Sequence, residues 1–161
     1  MKSVMRYVSQ TSKTLWDGQQ LVSSIGCQPE TAFDEFLSTK LLHHKDGGVM
    51  FYHMVQSFPK GADIDPRAAH EAARRLAGYF EGCEVLVCTH VDREHIHSHC
   101  IINSVNFETG TGTAAAVWNI SAGDIIGTGK AIAALTGFMK KFWIKLSGII
   151  RKSCGNNTHP N

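Results

Sequence analysis

The chain has 161 residues, which suits one domain with an appendage. Hydrophobic residues make up 43% and charged residues 19%, which excludes wholesale disorder and collagen-like repeats. The net charge of +2 is unevenly placed: the last 37 residues carry +6 and residues 1–124 carry −4, so the two parts are read separately. No run of 18 uncharged apolar residues occurs, which argues against a spanning helix, and Met1–Arg6 lacks the apolar core of a secretory signal. Cysteines at 27, 83, 88, 100 and 154 form no Cys-x-x-Cys pair and read as reduced thiols of a cytoplasmic protein.

Residues 4–16 suit a short helix or an extended arm, with Val4, Tyr7, Val8 and Leu15 able to share one face. Residues 17–28 are polar and read as a loop. Pro29 then opens a helical pattern in which Ala32, Phe33, Phe36, Leu37 and Leu41 recur, with acids early and Lys40 late, until Asp46-Gly47-Gly48 breaks it. Residues 49–58 are rich in β-formers and predict a strand. Asp65-Pro66 offers an N-cap carboxylate followed by a first-turn proline, and Ala69, Ala72, Ala73, Leu76, Ala77 and Phe80 supply the apolar stripe of a helix closed by Gly82. Residues 84–90 and 96–107 predict two neighbouring strands joined by a polar turn around Asp92-Arg93-Glu94, short enough for an antiparallel hairpin. The expected fold is α/β (α+β), with a mainly antiparallel central sheet and helices packed on it. Residues 109–129 read as loop. Residues 131–150 carry an amphipathic helical pattern from Ile132 to Ile150, with Lys140, Lys141 and Lys145 off the apolar face.

The chain holds nine histidines, and four of them lie between positions 90 and 99, in His90-Val-Asp92-Arg-Glu-His95-Ile-His97-Ser-His99. Residues two apart project from one face of a strand, so His95, His97, His99, Ile101 and Asn103 share a face. His90, at the end of the preceding strand, can join His97 and His99 across the hairpin. Three imidazoles with open positions left over are the pattern of a catalytic metal rather than a structural one. Asp92 is placed to accept an imidazole N–H and hold its tautomer. His95 and Asn103 are additional candidates for the site. His43, His44, His53, His70 and His159 are assigned structural or surface roles.

The histidine segment resembles the motif of the relaxases, mobilisation nucleases of the HUH endonuclease superfamily: His-x-Asp, a His-hydrophobic-His pair on a central strand, then Asn. Leu21–Cys27, Glu35-Phe36-x-x-Thr39-Lys40, Tyr52-His53-x-x-Gln56-Ser57-Phe58, Ala69-His70-Glu71 and Asn103–Phe107 are similar to the same family, in its order. The resemblance covers about residues 5–110. It implies a relaxase-like nuclease domain over 1–110, N-terminally truncated and without the family's first strand, followed by a divergent basic tail over 111–161 with the helix near 131–150. It further implies site- and strand-specific nicking and rejoining of single-stranded DNA at a transfer origin, for mobilising a plasmid or conjugative element. The implied nucleophile is Tyr7, in a block that looks like the family's tyrosine segment, and the implied cofactor is a divalent metal, manganese or magnesium. Accessory relaxosome proteins and a coupling protein are the implied partners.

Two other readings compete. His95-Ile-His97-Ser-His99 also resembles the histidine triad of nucleotide hydrolases, which use a histidine nucleophile and no metal. The chain is alternatively a remnant that binds DNA without cutting it.

Overall fold

The computed structural model describes residues 1–113 and 143–146. Its centre is a five-stranded sheet in the order β3-β5-β6-β4-β7. These strands are β3 (Val22–Ile25), β4 (Phe51–Ser57), β5 (Val85–His90), β6 (His97–Asn103) and β7 (Trp143–Leu146). All four neighbouring pairs are antiparallel. A two-residue ladder, β1 (Leu15–Trp16) against β2 (Gln19–Gln20), stands apart from the sheet. The helices are α1 (Lys2–Val8), α2 (Thr11–Thr14), α3 (Ala32–Leu42) and α4 (Pro66–Ala77).

The two faces of the sheet bury different clusters. Tyr52, Met54, Val85, Val87, Cys100 and Ile102 pack against Ala73, Leu76 and Ala77 of α4. Phe51, Leu86, Cys88 and Ile101 pack on the other face against Met5 and Val8 of α1 and Ala32 and Phe36 of α3. Covering both faces explains why every residue of β5 is buried, where a half-solvated strand would alternate. Full burial of a side chain such as Phe36 stabilises by about 1.5–3 kcal/mol.

Helix α4 forms as its sequence predicts. The Asp65 side chain accepts from the Ala68 N–H at 3.2 Å, Pro66 occupies the first turn, and Ala69, Ala72, Ala73, Leu76 and Ala77 are buried. It ends at Gly78 rather than Gly82, and Phe80 reaches the core from the turn beyond.

Helix α3 is rotated from its expected face. Ala32, Phe36, Thr39 and Lys40 are buried, whereas Leu41 is 54% and Leu42 is 72% exposed. A buried polar group draws Lys40 inward: its ammonium donates to Ser104 Oγ and, at 3.3 Å, to the Val49 carbonyl. Glu84 lies in the same group, accepting from Thr39 Oγ1 at 2.6 Å and from Asn103 Nδ2. Burial lowers the Lys40 pKa to about 8, against the opposing pull of Glu84.

Two other expectations change. Residues 17–28, read as loop, contain β2 and the sheet strand β3; Val22-Ser-Ser-Ile is only half-buried and lacks the alternation that marks a strand. Residues 143–146, inside the stretch expected to be helical, form β7 and pair with β4 from Met54 opposite Leu146 to Ser57 opposite Trp143. The free edge of β4 carries backbone donors and acceptors that such a strand satisfies. The rest of the 131–150 stretch and residues 114–130 lie outside the described residues.

Candidate active site

The β5–β6 ladder assembles the histidines. His90 pairs directly with His97, and Cys88 pairs with His99, so all three imidazoles rise from the α1 side of the sheet. Their ring centroids lie 4.4–5.1 Å apart. One ligand nitrogen from each falls within 4.8 Å of the others, and His90 and His99 are buried. Ser98, between the pair, points to the opposite face, where its hydroxyl bonds Thr89 Oγ1 at 2.8 Å.

Hydrogen bonds decide which ring nitrogens are free. His90 Nε2 donates to the Val8 carbonyl at 2.8 Å, which leaves Nδ1 as its lone-pair nitrogen. His97 Nδ1 donates to the His95 carbonyl at 3.3 Å, which leaves Nε2. His99 Nδ1 is bonded to His53 Nε2 at 2.8 Å, so its Nε2 is the nitrogen without that bond. Burial pushes all three imidazoles below their usual range, His99 to about 3 with the neighbouring histidines adding to the shift. Neutral imidazoles are the form a metal requires. Three neutral, convergent nitrogen donors with no carboxylate among them fit one divalent cation and leave coordination positions for a substrate.

The N-terminal segment closes over this group. Val8 ends α1, and its carbonyl, orphaned by the helix end, takes the His90 N–H. Tyr7 is thereby held beside His90, with ring centroids 6.0 Å apart and edge-on, while remaining 50% exposed. Lys13 Nζ sits 4.9 Å from the Tyr7 ring centre and 2.8 Å from Asp92 Oδ2. The Asp92 hydrogen bond raises the Lys13 pKa, and the same bond lowers that of Asp92.

Each candidate from the sequence now has a location. Tyr7, His90, His97 and His99 come together. Asp92 lies at the rim with its carboxylate on Lys13, and Arg93 Nε stands 3.8 Å away; the ring nitrogens of His90, His97 and His99 are hydrogen-bonded to the Val8 carbonyl, the His95 carbonyl and His53 instead. His95 is half-buried, its ring 5.3 Å from that of His97. Asn103 stands at the other end of β6, six residues or about 20 Å from His97. There it is buried, donating to Glu84 and, at 3.2 Å, to the Phe36 carbonyl. Of the other tyrosines, Tyr52 is buried in the core beneath α4, and Tyr79 is exposed just past that helix.

Lys13 and His53 are members that sequence reading missed. His53 alternates with Phe51 and Val55 on the same strand face as His99, a period-two signal that spacing alone offers but does not single out. His70 bonds Ser23 Oγ at 2.9 Å and Thr89 Oγ1 at 2.8 Å beneath α4, and His43 bonds the Phe107 carbonyl at 3.1 Å. His159 lies outside the described residues.

If Asn103 is a packing residue, Asn103→Ala should cost about 1–3 kcal/mol by leaving buried Glu84 short of a donor. Denaturant unfolding measures this. Normal stability with lost activity would return Asn103 to the site.

An antiparallel sheet with a histidine trio on its central hairpin and a tyrosine-bearing helix end beside it defines a site of the HUH type. The family model for the MobA/VirD2-like relaxase nuclease domain matches residues 7–142. The group II intron-interrupted relaxase LtrB of Lactococcus lactis subsp. cremoris (strain MG1363) is 30% identical over 189 aligned residues, covering 98% of this chain and 33% of the relative. The protein rlx of Staphylococcus aureus is 37% identical over 89 residues, covering 55% of the chain and 28% of the relative. No solved structure matches. The chain belongs to the relaxase family, in its MobA/VirD2-like branch, and spans about a third of the length of these curated relatives.

Proposed function

We propose that this domain nicks and rejoins one strand of single-stranded DNA at a transfer origin, through a covalent phosphotyrosine at Tyr7, to mobilise a plasmid or conjugative element. The observation that carries the reading is the tether between the tyrosine helix and the histidine group: the Val8 carbonyl on His90 Nε2, with Tyr7 one residue away. His90, His97 and His99 would hold a divalent cation such as manganese or magnesium, which would supply Lewis-acid polarisation of the scissile phosphate. Tyr7 Oη then forms a bond to phosphorus as the bond from phosphorus to the 3′ oxygen breaks. The phenol proton is lost to solvent, and the departing 3′ oxygen gains one. Lys13, beside the ring, offsets negative charge on the phenolate. The phosphotyrosine retains the energy of the broken phosphodiester, and attack by the 3′ hydroxyl restores the DNA and the free tyrosine.

The test is incubation of a 3′-labelled origin oligonucleotide with manganese or magnesium. A labelled band shifted by the mass of the protein under denaturing conditions is expected. Cleavage with free ends alone would make the chain a metal-dependent hydrolase, and binding without cleavage would make it a DNA-binding remnant.

Asp92 contributes here through Lys13. Asp92→Asn keeps the ammonium and removes a rim ion pair, so adduct formation should slow by about fivefold or less, with metal affinity unchanged. Isothermal titration of the metal checks this; a 10–100-fold loss of affinity, the usual size of an imidazole-orienting effect, would restore Asp92 to the imidazole role.

A further inference from the structure

We propose that His53 is a positioning residue of this site: it accepts a hydrogen bond from His99 Nδ1–H and thereby turns the His99 Nε2 lone pair toward His90 and His97. The inference rests on the metal-binding reading above and extends it to a histidine on another strand, outside the hairpin.

The geometry is a single contact with two protonation patterns. His53 Nε2 and His99 Nδ1 lie 2.8 Å apart with ring centroids at 5.0 Å, and one of the two nitrogens must hold the proton. If His99 Nδ1 donates, His99 Nε2 is a lone pair and can ligate. If His53 Nε2 donates, a neutral His99 carries its proton on Nε2 and cannot ligate. Ligation requires the first pattern, and His53, as the acceptor, sets it before any cation arrives.

The backbone makes His53 dependable as a partner. The β4–β6 ladder sets Val55 opposite His99 and Ile101 opposite His53, so the two imidazoles are diagonal neighbours on one face. The ladder runs without a break from Phe51 to Ser57, which fixes the register. His90 and His97 each use a backbone carbonyl for the same purpose. His99 instead depends on a side chain, so one substitution can remove its support.

The experiment compares the 161-residue wild-type chain, His53→Gln and His53→Phe. The glutamine carbonyl can accept the His99 N–H; phenylalanine fills the space without an acceptor. Calorimetric titration with manganese or cobalt alone should give affinity 10–100-fold weaker for His53→Phe, and His53→Gln within about threefold of wild type. Nitrogen-15 imidazole spectra of metal-free wild type should show His99 protonated on Nδ1, and thermal melts should confirm that both variants fold. Equal affinity in wild type and His53→Phe overturns the role of His53 while leaving the metal site intact. A His53→Gln protein as weak as His53→Phe, or wild-type His99 protonated on Nε2, also overturns it. A wild-type protein that takes up no cation removes the metal site itself and this proposal with it.

Discussion

Tyr7→Phe should abolish the covalent protein–DNA adduct, slowing cleavage by at least about a thousandfold, while single-stranded DNA binding persists. The separation follows from what the substitution keeps. The ring still meets the edge of His90 and still lies beneath the Lys13 ammonium; only the hydroxyl is lost. Tyr7 is half-exposed, so folding stability should change by no more than about 0.5 kcal/mol. Gel-shift titration and a denaturing gel of the same samples make the comparison. An adduct that survives would move the attack to another side chain, with exposed Tyr79 tested next.

The second large effect is expected of the double substitution of His97 and His99 by alanine. Two of three convergent donors disappear, and His90 alone is a weak site. Metal content measured by mass spectrometry should fall from one ion per chain to near zero. A Lewis acid at the scissile phosphate is worth several kcal/mol, so adduct formation should drop about a thousandfold. Metal content equal to wild type would remove the histidine site. Unchanged cleavage by the wild-type protein stripped of metal would favour the histidine-triad chemistry of nucleotide hydrolases.

These residues differ in how readily the sequence exposes them. The β5–β6 hairpin is local: a short polar turn and period-two spacing suffice to bring His90 opposite His97 and to aim His99 the same way. Helix α4 is local as well, announced by Asp65-Pro66 and an alanine-leucine stripe. What resisted reading depends on distant partners. His53 meets His99 across 46 residues, and Lys13 meets Asp92 across 79. Asp92 stands two residues from His90, and that proximity suggested an imidazole partner; Lys13, on α2, takes its carboxylate instead. In α3 a helical pattern marked Leu41 for the core, but a buried acceptor set around Ser104 and Val49 draws Lys40 inward and leaves Leu41 in solvent. Strand β3 was hidden because Ser23 and Ser24 break the apolar run, and the Ser23 hydroxyl finds its partner in His70 of a later helix.

The most direct test is to digest the wild-type adduct formed with an origin oligonucleotide and identify the DNA-bearing peptide by mass spectrometry. The account predicts a nucleotide joined through its 5′ phosphate to Tyr7. A nucleotide on Tyr52, Tyr79 or a histidine, or cleaved DNA with a free 5′ phosphate and unmodified protein, would contradict it.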